Sequence, residues 1–318
     1  MANKWNSDPR DALRAGEDFE LAAFDRAATP GWKKGKKKAR AFMASRGELL
    51  SELQERLYAH GRTGGARGVL LVIQGLDTAG KGGIVRHVAG MMDPQGLSIH
   101  AFRAPTEEER AHHYLWRIEK ALPRPGYVGV FDRSHYEDVL VVRVDQLADV
   151  DWNDRYAEIN EFERRIVDSG ITILKVALMV SKEEQGLRLM ERLDRPDKHW
   201  KFSDSDVPTR AKWDAYQEAY QDMLRATSTE IAPWYVIPAD NKWYSQLAVT
   251  ELLARTLADL GLGWPDVTWS IPEQRRALEA TMKPATVATA HARTDATLAK
   301  VAESEAEFDQ LVRSLFRF

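Results

Sequence analysis

Residues 68–83, GVLLVIQGLDTAGKGG, restrict the fold more than any other stretch of this chain. GVLLVIQ is a continuous apolar run, rich in branched side chains and ended by glycine. That is the pattern of a strand buried on both faces of a parallel sheet. It runs directly into Gly-x-x-x-x-Gly-Lys at 75–81, and GIVRHVAGMM continues the chain as a helix. Strand, glycine loop and helix in that order predict a phosphate-binding loop. Glycine is needed because backbone N–H groups must converge on phosphate oxygens where a Cβ would obstruct them. The expected phosphate-binding positions are Gly75, Ala79, Gly80, Gly82 and Gly83, with Lys81 adding a mobile positive charge and the helix start its dipole. Two features depart from the usual loop. Gly82 stands where a Ser or Thr hydroxyl normally helps hold Mg²⁺, and Asp77 places an anion inside the loop. An acid there is unfavourable beside phosphate unless a divalent metal or a proton lies between them. Asp77 is therefore a candidate metal ligand or general base; the plainer alternative is a cap on the following helix.

Short apolar runs recur at 99–103, 127–131, 171–180 and 234–237, separated by helical patterns at 107–121, 154–169, 183–194 and 209–228. Strands alternating with helices predict an α/β sandwich with a mainly parallel sheet. Ahead of the loop, residues 1–42 read as irregular and polar, with a basic run at Lys33, Lys34, Lys36, Lys37, Lys38 and Arg40. A helix follows over 45–60, marked by Leu49, Leu50, Leu53 and Leu57 and stopped by the glycines of 61–65. Beyond residue 272 no strand-like run occurs. PATVATAHART at 284–294 reads as a linker, and Leu298, Val301, Phe308, Val312 and Leu315 form a heptad seam interrupted by Glu305. That seam either packs on its own domain or makes a subunit contact.

Charge and composition narrow the function. The 45 Lys+Arg nearly balance 48 Asp+Glu, and the net charge of −3 gives no global pull toward nucleic acid. With no cysteine, thiol catalysis, disulfides and Cys-ligated metal sites are excluded. No apolar run approaches the roughly 20 residues of a membrane helix. The N-terminal residues lack the apolar segment of a signal peptide, so a cytoplasmic protein is expected.

A second acid follows the strand at 127–131: Asp132-Arg133-Ser134-His135-Tyr136-Glu137-Asp138. The carboxyl end of a buried strand is where phosphate-loop enzymes keep a Mg²⁺-orienting carboxylate, and Arg133 beside it can clamp a phosphoryl group. Histidines 112, 113 and 135 have no spacing partner for a metal and read as packing or surface residues. Arg188, Arg192 and Arg195 share one helix face, Pro196 ends that helix, and Lys198 and Lys201 follow in a loop. This stretch, about 182–212, is either a solvated face or a lid closing cations over transferring phosphates.

Taken together, GLDTAGKGG at 75–83, the segment 105–144 containing FDRSHYEDV, RLDRPDKHWKFS at 192–203 and the segment 215–244 resemble the polyphosphate kinase 2 family over about residues 30–265. The resemblance implies a three-layer P-loop kinase-like fold related to thymidylate kinases. It also implies transfer of the terminal phosphoryl group between inorganic polyphosphate and a nucleoside mono- or diphosphate, AMP or ADP, with Mg²⁺ or Mn²⁺. Carried over by motif, Asp77 and Asp132 are the metal-linked acids, Lys81 and Arg133 the phosphate ligands, and Arg192, Lys198 and Lys201 lid residues. The expected organisation is a basic arm and helix (1–60), a phosphotransferase core with its lid (61–268) and a helical tail (269–318), in a homo-oligomer that binds neither membrane nor nucleic acid. Three competing functions stand beside this one. They are an ATP-dependent nucleotide kinase on the same fold, a nucleotide-gated switch, and a polyanion-binding module using the 33–40 and 188–212 patches. NKWY at 241–244 lacks the guanine-reading pattern of GTPase switches.

Overall fold

A computed structural model describes residues 4–317; the readings made for residues 1–3 and 318 lie outside it. The elements run α1 (Pro9–Leu13), α2 (Gly35–Arg62), β1 (Gly68–Gln74), α3 (Lys81–His87), β2 (Leu97–Ala101), α4 (Glu107–Arg110), α5 (Trp116–Ala121) and β3 (Val128–Asp132). They continue with α6 (Glu137–Val144), α7 (Trp152–Asp168), β4 (Ile171–Met179), α8 (Lys182–Asp194), α9 (Asp206–Ala211) and α10 (Trp213–Thr227). The chain ends in β5 (Trp234–Pro238), α11 (Lys242–Asp259), α12 (Ile271–Glu279) and α13 (Pro284–Leu315).

The five strands form one sheet in the order β2-β3-β1-β4-β5, with every pairing parallel. Alternation along β1 explains its unbroken apolar sequence. Val69, Leu71 and Ile73 enter the core beneath α2, α3 and α11, while Leu70 and Val72 enter the core beneath α6, α7 and α10. The result is three layers, helix–sheet–helix. From β1 the chain builds outward to β2 and β3 on one side and later to β4 and β5 on the other. The carboxyl end of β1 is therefore the topological switch point, where open α/β sheets bind ligands.

Several boundaries differ from the sequence reading. The basic run is not irregular: α2 starts at Gly35, and Ala39 and Phe42 are buried along it. Residues 9–13 are also helical, with Asp8 as N-cap and Pro9 in the first turn. The helix expected over 107–121 is two short ones, and that over 209–228 breaks at Lys212. The stretch read as a linker, 284–294, lies inside α13, because a proline is tolerated in a helix's first turn. Within the heptad seam, Phe308 and Leu315 are buried against the core whereas Leu298 and Val301 remain exposed. Ion pairs fasten α2 to its neighbours: Arg46 meets Glu251 of α11 at 3.0 Å in a buried pair, and the buried Arg56 meets the half-exposed Glu305 of α13 at 2.8 Å.

Candidate active site

The loop after β1 is shaped by two glycines. A Cβ on Gly75 would lie 2.8 Å from the Leu178 carbonyl oxygen, and Gly80 has φ +117°. Nothing approaches within 4 Å of where a Cβ on Gly80 or Gly82 would stand, so the space beside these backbones is open. Ala79, just before Gly80, is fully buried and fixes the loop to the core. Thr78 and Arg133 adopt φ of +67° and +66°. Such non-glycine conformations cost about 1–3 kcal/mol each and cluster where a site over-determines the backbone.

Lys81 folds back over its own loop, its Nζ donating to the Gly75 carbonyl at 2.6 Å. Asp77 projects from the loop and accepts from Arg133 Nη2 at 3.2 Å. Arg133 follows Asp132 at the end of β3, and its amide donates to the Ile73 carbonyl, which ties the β3 exit to β1. The other arm of its guanidinium faces Glu137 at 3.7 Å. Burial works against the Arg133 charge, but Glu137, Asp77 and Asp132 outweigh it and raise the pKa. The Glu137 pKa is raised as well: burial pushes it up, opposed by Arg133 and Lys81. Gln74, the last residue of β1, is fully buried. With its amide oriented to satisfy both neighbours, Nε2 donates to Glu137 at 3.0 Å and Oε1 accepts from Ser134. Across the site, burial first and then Glu137 raise the Tyr220 phenol.

The structure thus brings Asp77, Lys81, Asp132 and Arg133 to one end of the sheet. Three further contributors were not legible in the sequence. Gln74 and Glu137 act through contacts that only tertiary packing creates. Arg188, read as a lid cation, is instead buried and straps the loop: it donates to the carbonyls of Thr78 at 2.9 Å and of Ala239 and Asp240 at 2.7 Å. Gln185 adds a bond to the Asp77 carbonyl.

The distal half of α8 and the segment after it are fastened mostly to themselves. Arg192 donates to the Lys201 carbonyl and faces Asp206, and Arg195 lies between Glu191 and Asp197. Lys198 shares Asp197, while Lys201 lies over the exposed Trp200 ring. Glu191 and Asp197 therefore offset part of the positive charge collected here. The histidines serve packing and surface pairing: His112 stacks on Trp116, His113 pairs with Glu158, and His135 is buried against Glu163.

Among the described residues no three His, Asp or Glu side chains converge as a metal cage. Asp77 and Asp132 nevertheless suit Mg²⁺, a hard cation that commonly takes one or two carboxylates and completes its shell with water and substrate phosphate.

A parallel sheet whose first strand opens into a glycine-lysine loop at the switch point, with an acid–arginine pair on the adjacent strand, defines a P-loop kinase-like phosphotransferase fold. The sequence model of the family Polyphosphate kinase 2 (PPK2) matches residues 33–260, and the chain belongs to that family. It is 47% identical over 248 residues to an AMP/ADP-polyphosphate phosphotransferase of Meiothermus ruber, covering 78% of this chain and 91% of the relative. Identity is 37% over 276 residues to an ADP-polyphosphate phosphotransferase of Rhodopseudomonas palustris, covering 83% and 93%. The crystal structure of polyphosphate kinase 2 from Arthrobacter aurescens TC1 superposes with a TM-score of 0.85 at 49% identity, covering 88% of this chain and 99% of that one.

Proposed function

We propose that this protein transfers the terminal phosphoryl group of inorganic polyphosphate to nucleoside mono- and diphosphates, AMP and ADP, reversibly. The observation that carries the reading is the open glycine loop with Lys81 above it, faced by Asp77 and Arg133. The names of its relatives, phosphotransferases of AMP and ADP with polyphosphate, support the same substrates. They give no support to ATP as the donor.

In this reading residues 61–268 form the catalytic unit. Backbone amides at Gly75, Ala79, Gly80, Gly82 and Gly83 and the Lys81 ammonium hold the phosphates. Asp77 and Asp132 hold Mg²⁺, or Mn²⁺ in its place, which supplies charge neutralisation on phosphate oxygens. Arg133 is held between Asp77 and Glu137, so its donors are oriented before a phosphoryl group arrives. The acceptor's terminal phosphate oxygen is already anionic near neutral pH, and the reaction needs little base catalysis. Orientation and preorganised charge account for most of the barrier reduction. The stretch carrying Arg192, Arg195, Lys198 and Lys201 closes over the donor and excludes water. We place the enzyme in the cytoplasm as a homo-oligomer; no helix among the described residues is long and apolar enough to cross a membrane.

The test is purified protein with Mg²⁺, AMP or ADP, and either polyphosphate or ATP as donor, followed by nucleotide chromatography. Formation of ADP and ATP from polyphosphate is expected. Turnover of AMP with ATP alone, and none with polyphosphate, would overturn the reading.

A further inference from the structure

Six cations fall within eight residues at Lys33, Lys34, Lys36, Lys37, Lys38 and Arg40, in a chain whose net charge is −3. All six are exposed, and among the described residues none enters an ion pair or a side-chain hydrogen bond that would offset its charge. They also occupy the start of α2, whose first turn has no acidic residue and no side-chain cap. The helix dipole disfavours cations at that end, and the lysines repel one another. An arrangement this unfavourable within the chain is relieved by a polyanion.

The placement of α2 says which one. It runs parallel to α11, as Arg46 meets Glu251 near their middles and His60 meets the Gly263 carbonyl at their ends. Counting back eight residues from each member of the Arg46–Glu251 pair sets Lys38 level with Trp243, in the first turn of α11. The segment leading into the run is fixed at the same level: the Tyr244 hydroxyl donates to the Pro30 carbonyl at 2.6 Å, and Asn241 Nδ2 to that of Ala27 at 2.8 Å. Gly83 of the glycine loop faces Gln246 of α11, three residues on from Trp243, or about 4.5 Å along a helix axis. Behind the loop, Met91 packs on Gly47 of α2. The lysines therefore stand at the carboxyl edge of the sheet, at the height of the loop amides and on the α2 side of them.

The geometry points to Lys33, Lys34, Lys36, Lys37 and Lys38 as a second phosphate-chain site, which binds the part of a long polyphosphate donor that extends past the loop. This rests on the polyphosphate reading above and adds where the chain runs. Short donors end before reaching the run. Long ones gain a contact that depends on length and salt, because each neutralised phosphate releases a counterion.

The variant is the full chain with Lys34→Ala, Lys36→Ala, Lys37→Ala and Lys38→Ala, its fold checked by circular dichroism. Affinities for tripolyphosphate, long-chain polyphosphate and a mixed-sequence single-stranded oligonucleotide are measured by calorimetry without nucleotide. KM for both polyphosphates is measured at two ionic strengths. Expected is a roughly tenfold loss of long-chain affinity and a matching rise in KM at low salt, shrinking at high salt, so that the advantage of long over short donors collapses. Equal changes for both lengths, or none, would overturn the site. An oligonucleotide that binds the wild type more tightly than long polyphosphate does, and loses that binding in the variant, would assign the run to nucleic acid instead. A wild-type chain that turned over no polyphosphate would refute the functional reading and this inference with it. Normal turnover with unaltered length dependence would refute the lysine run alone.

Discussion

Single side chains in this site have separable tasks. Among the described residues the hydrogen bonds of Lys81 Nζ go to carbonyls of its own loop, so Lys81→Ala should leave thermal unfolding nearly unchanged while lowering kcat/KM by about 10²–10³. Asp132→Asn keeps the shape of the β3 end but removes a charge, and should raise the Mg²⁺ concentration needed for half-maximal rate. An unchanged Mg²⁺ titration would take Asp132 out of the metal site. Away from the reacting groups, the buried cluster of His135, Glu163, Lys175 and Tyr136 supports the turn that follows Arg133. Desolvation is the main cause lowering the pKa of His135 from 6.5, and among the described residues its Nδ1 has no hydrogen-bond partner. Between 6.5 and that lower folded value the unfolded chain binds the proton and the folded chain does not. Stability contributed here is therefore present above pH 6.5 and lost as pH falls below it. Chemical denaturation from pH 7.5 down to 5 should show this slope, and His135→Gln should flatten it.

At the scale of elements, α8 divides into an anchored half and a self-contained half. Arg188 fastens the first half to the loop and to the β5–α11 connection. Arg188→Met would leave carbonyls without their donor and should destabilise by roughly 2–4 kcal/mol, with activity falling in step. Lys198→Ala/Lys201→Ala lies in the segment that follows the other half and should not move the melting temperature. It should raise KM for polyphosphate at every donor length, most at low ionic strength, with a much smaller change for the nucleotide. If KM for polyphosphate did not move, the stretch would be a solvated surface. The inner strands β1, β3 and β4 were legible in the sequence because burial on both faces demands unbroken apolar runs, and the loop because its glycines and lysine have few other uses; the edge strand β2 is largely exposed and runs over Leu97–Ala101, two residues earlier than the expected 99–103. The start of α2 was not legible, since its lysines mask the buried spacing of Ala39 and Phe42, which a reading by helical period alone would have found. Glu137 and Gln74 escaped because their meaning lies in a contact between the end of β1 and the start of α6, and nothing in the local sequence carries it.

Over the whole molecule, the sheet and its two helical layers place the loop at the switch point, while the chain ends brace the outer layer. Trp32 and Trp5 pack near Tyr244, and Phe308 and Leu315 close over α2. The tail beyond residue 260 lies outside the family match, yet Phe308 and Leu315 of α13 are part of the core, a role its alanine-rich start concealed. The central claim is that this architecture moves the terminal group of a polyphosphate chain, and ³¹P NMR reads that event directly. Polyphosphate, ADP and Mg²⁺ are followed with wild type and with Lys81→Ala. The account predicts growth of the ATP β-phosphate resonance with wild type, with the polymer shortening from its ends and the number of chain-end signals unchanged, and no such change with Lys81→Ala. Internal cleavage that multiplies chain ends without forming ATP, or equal ATP formation by the variant, would contradict it.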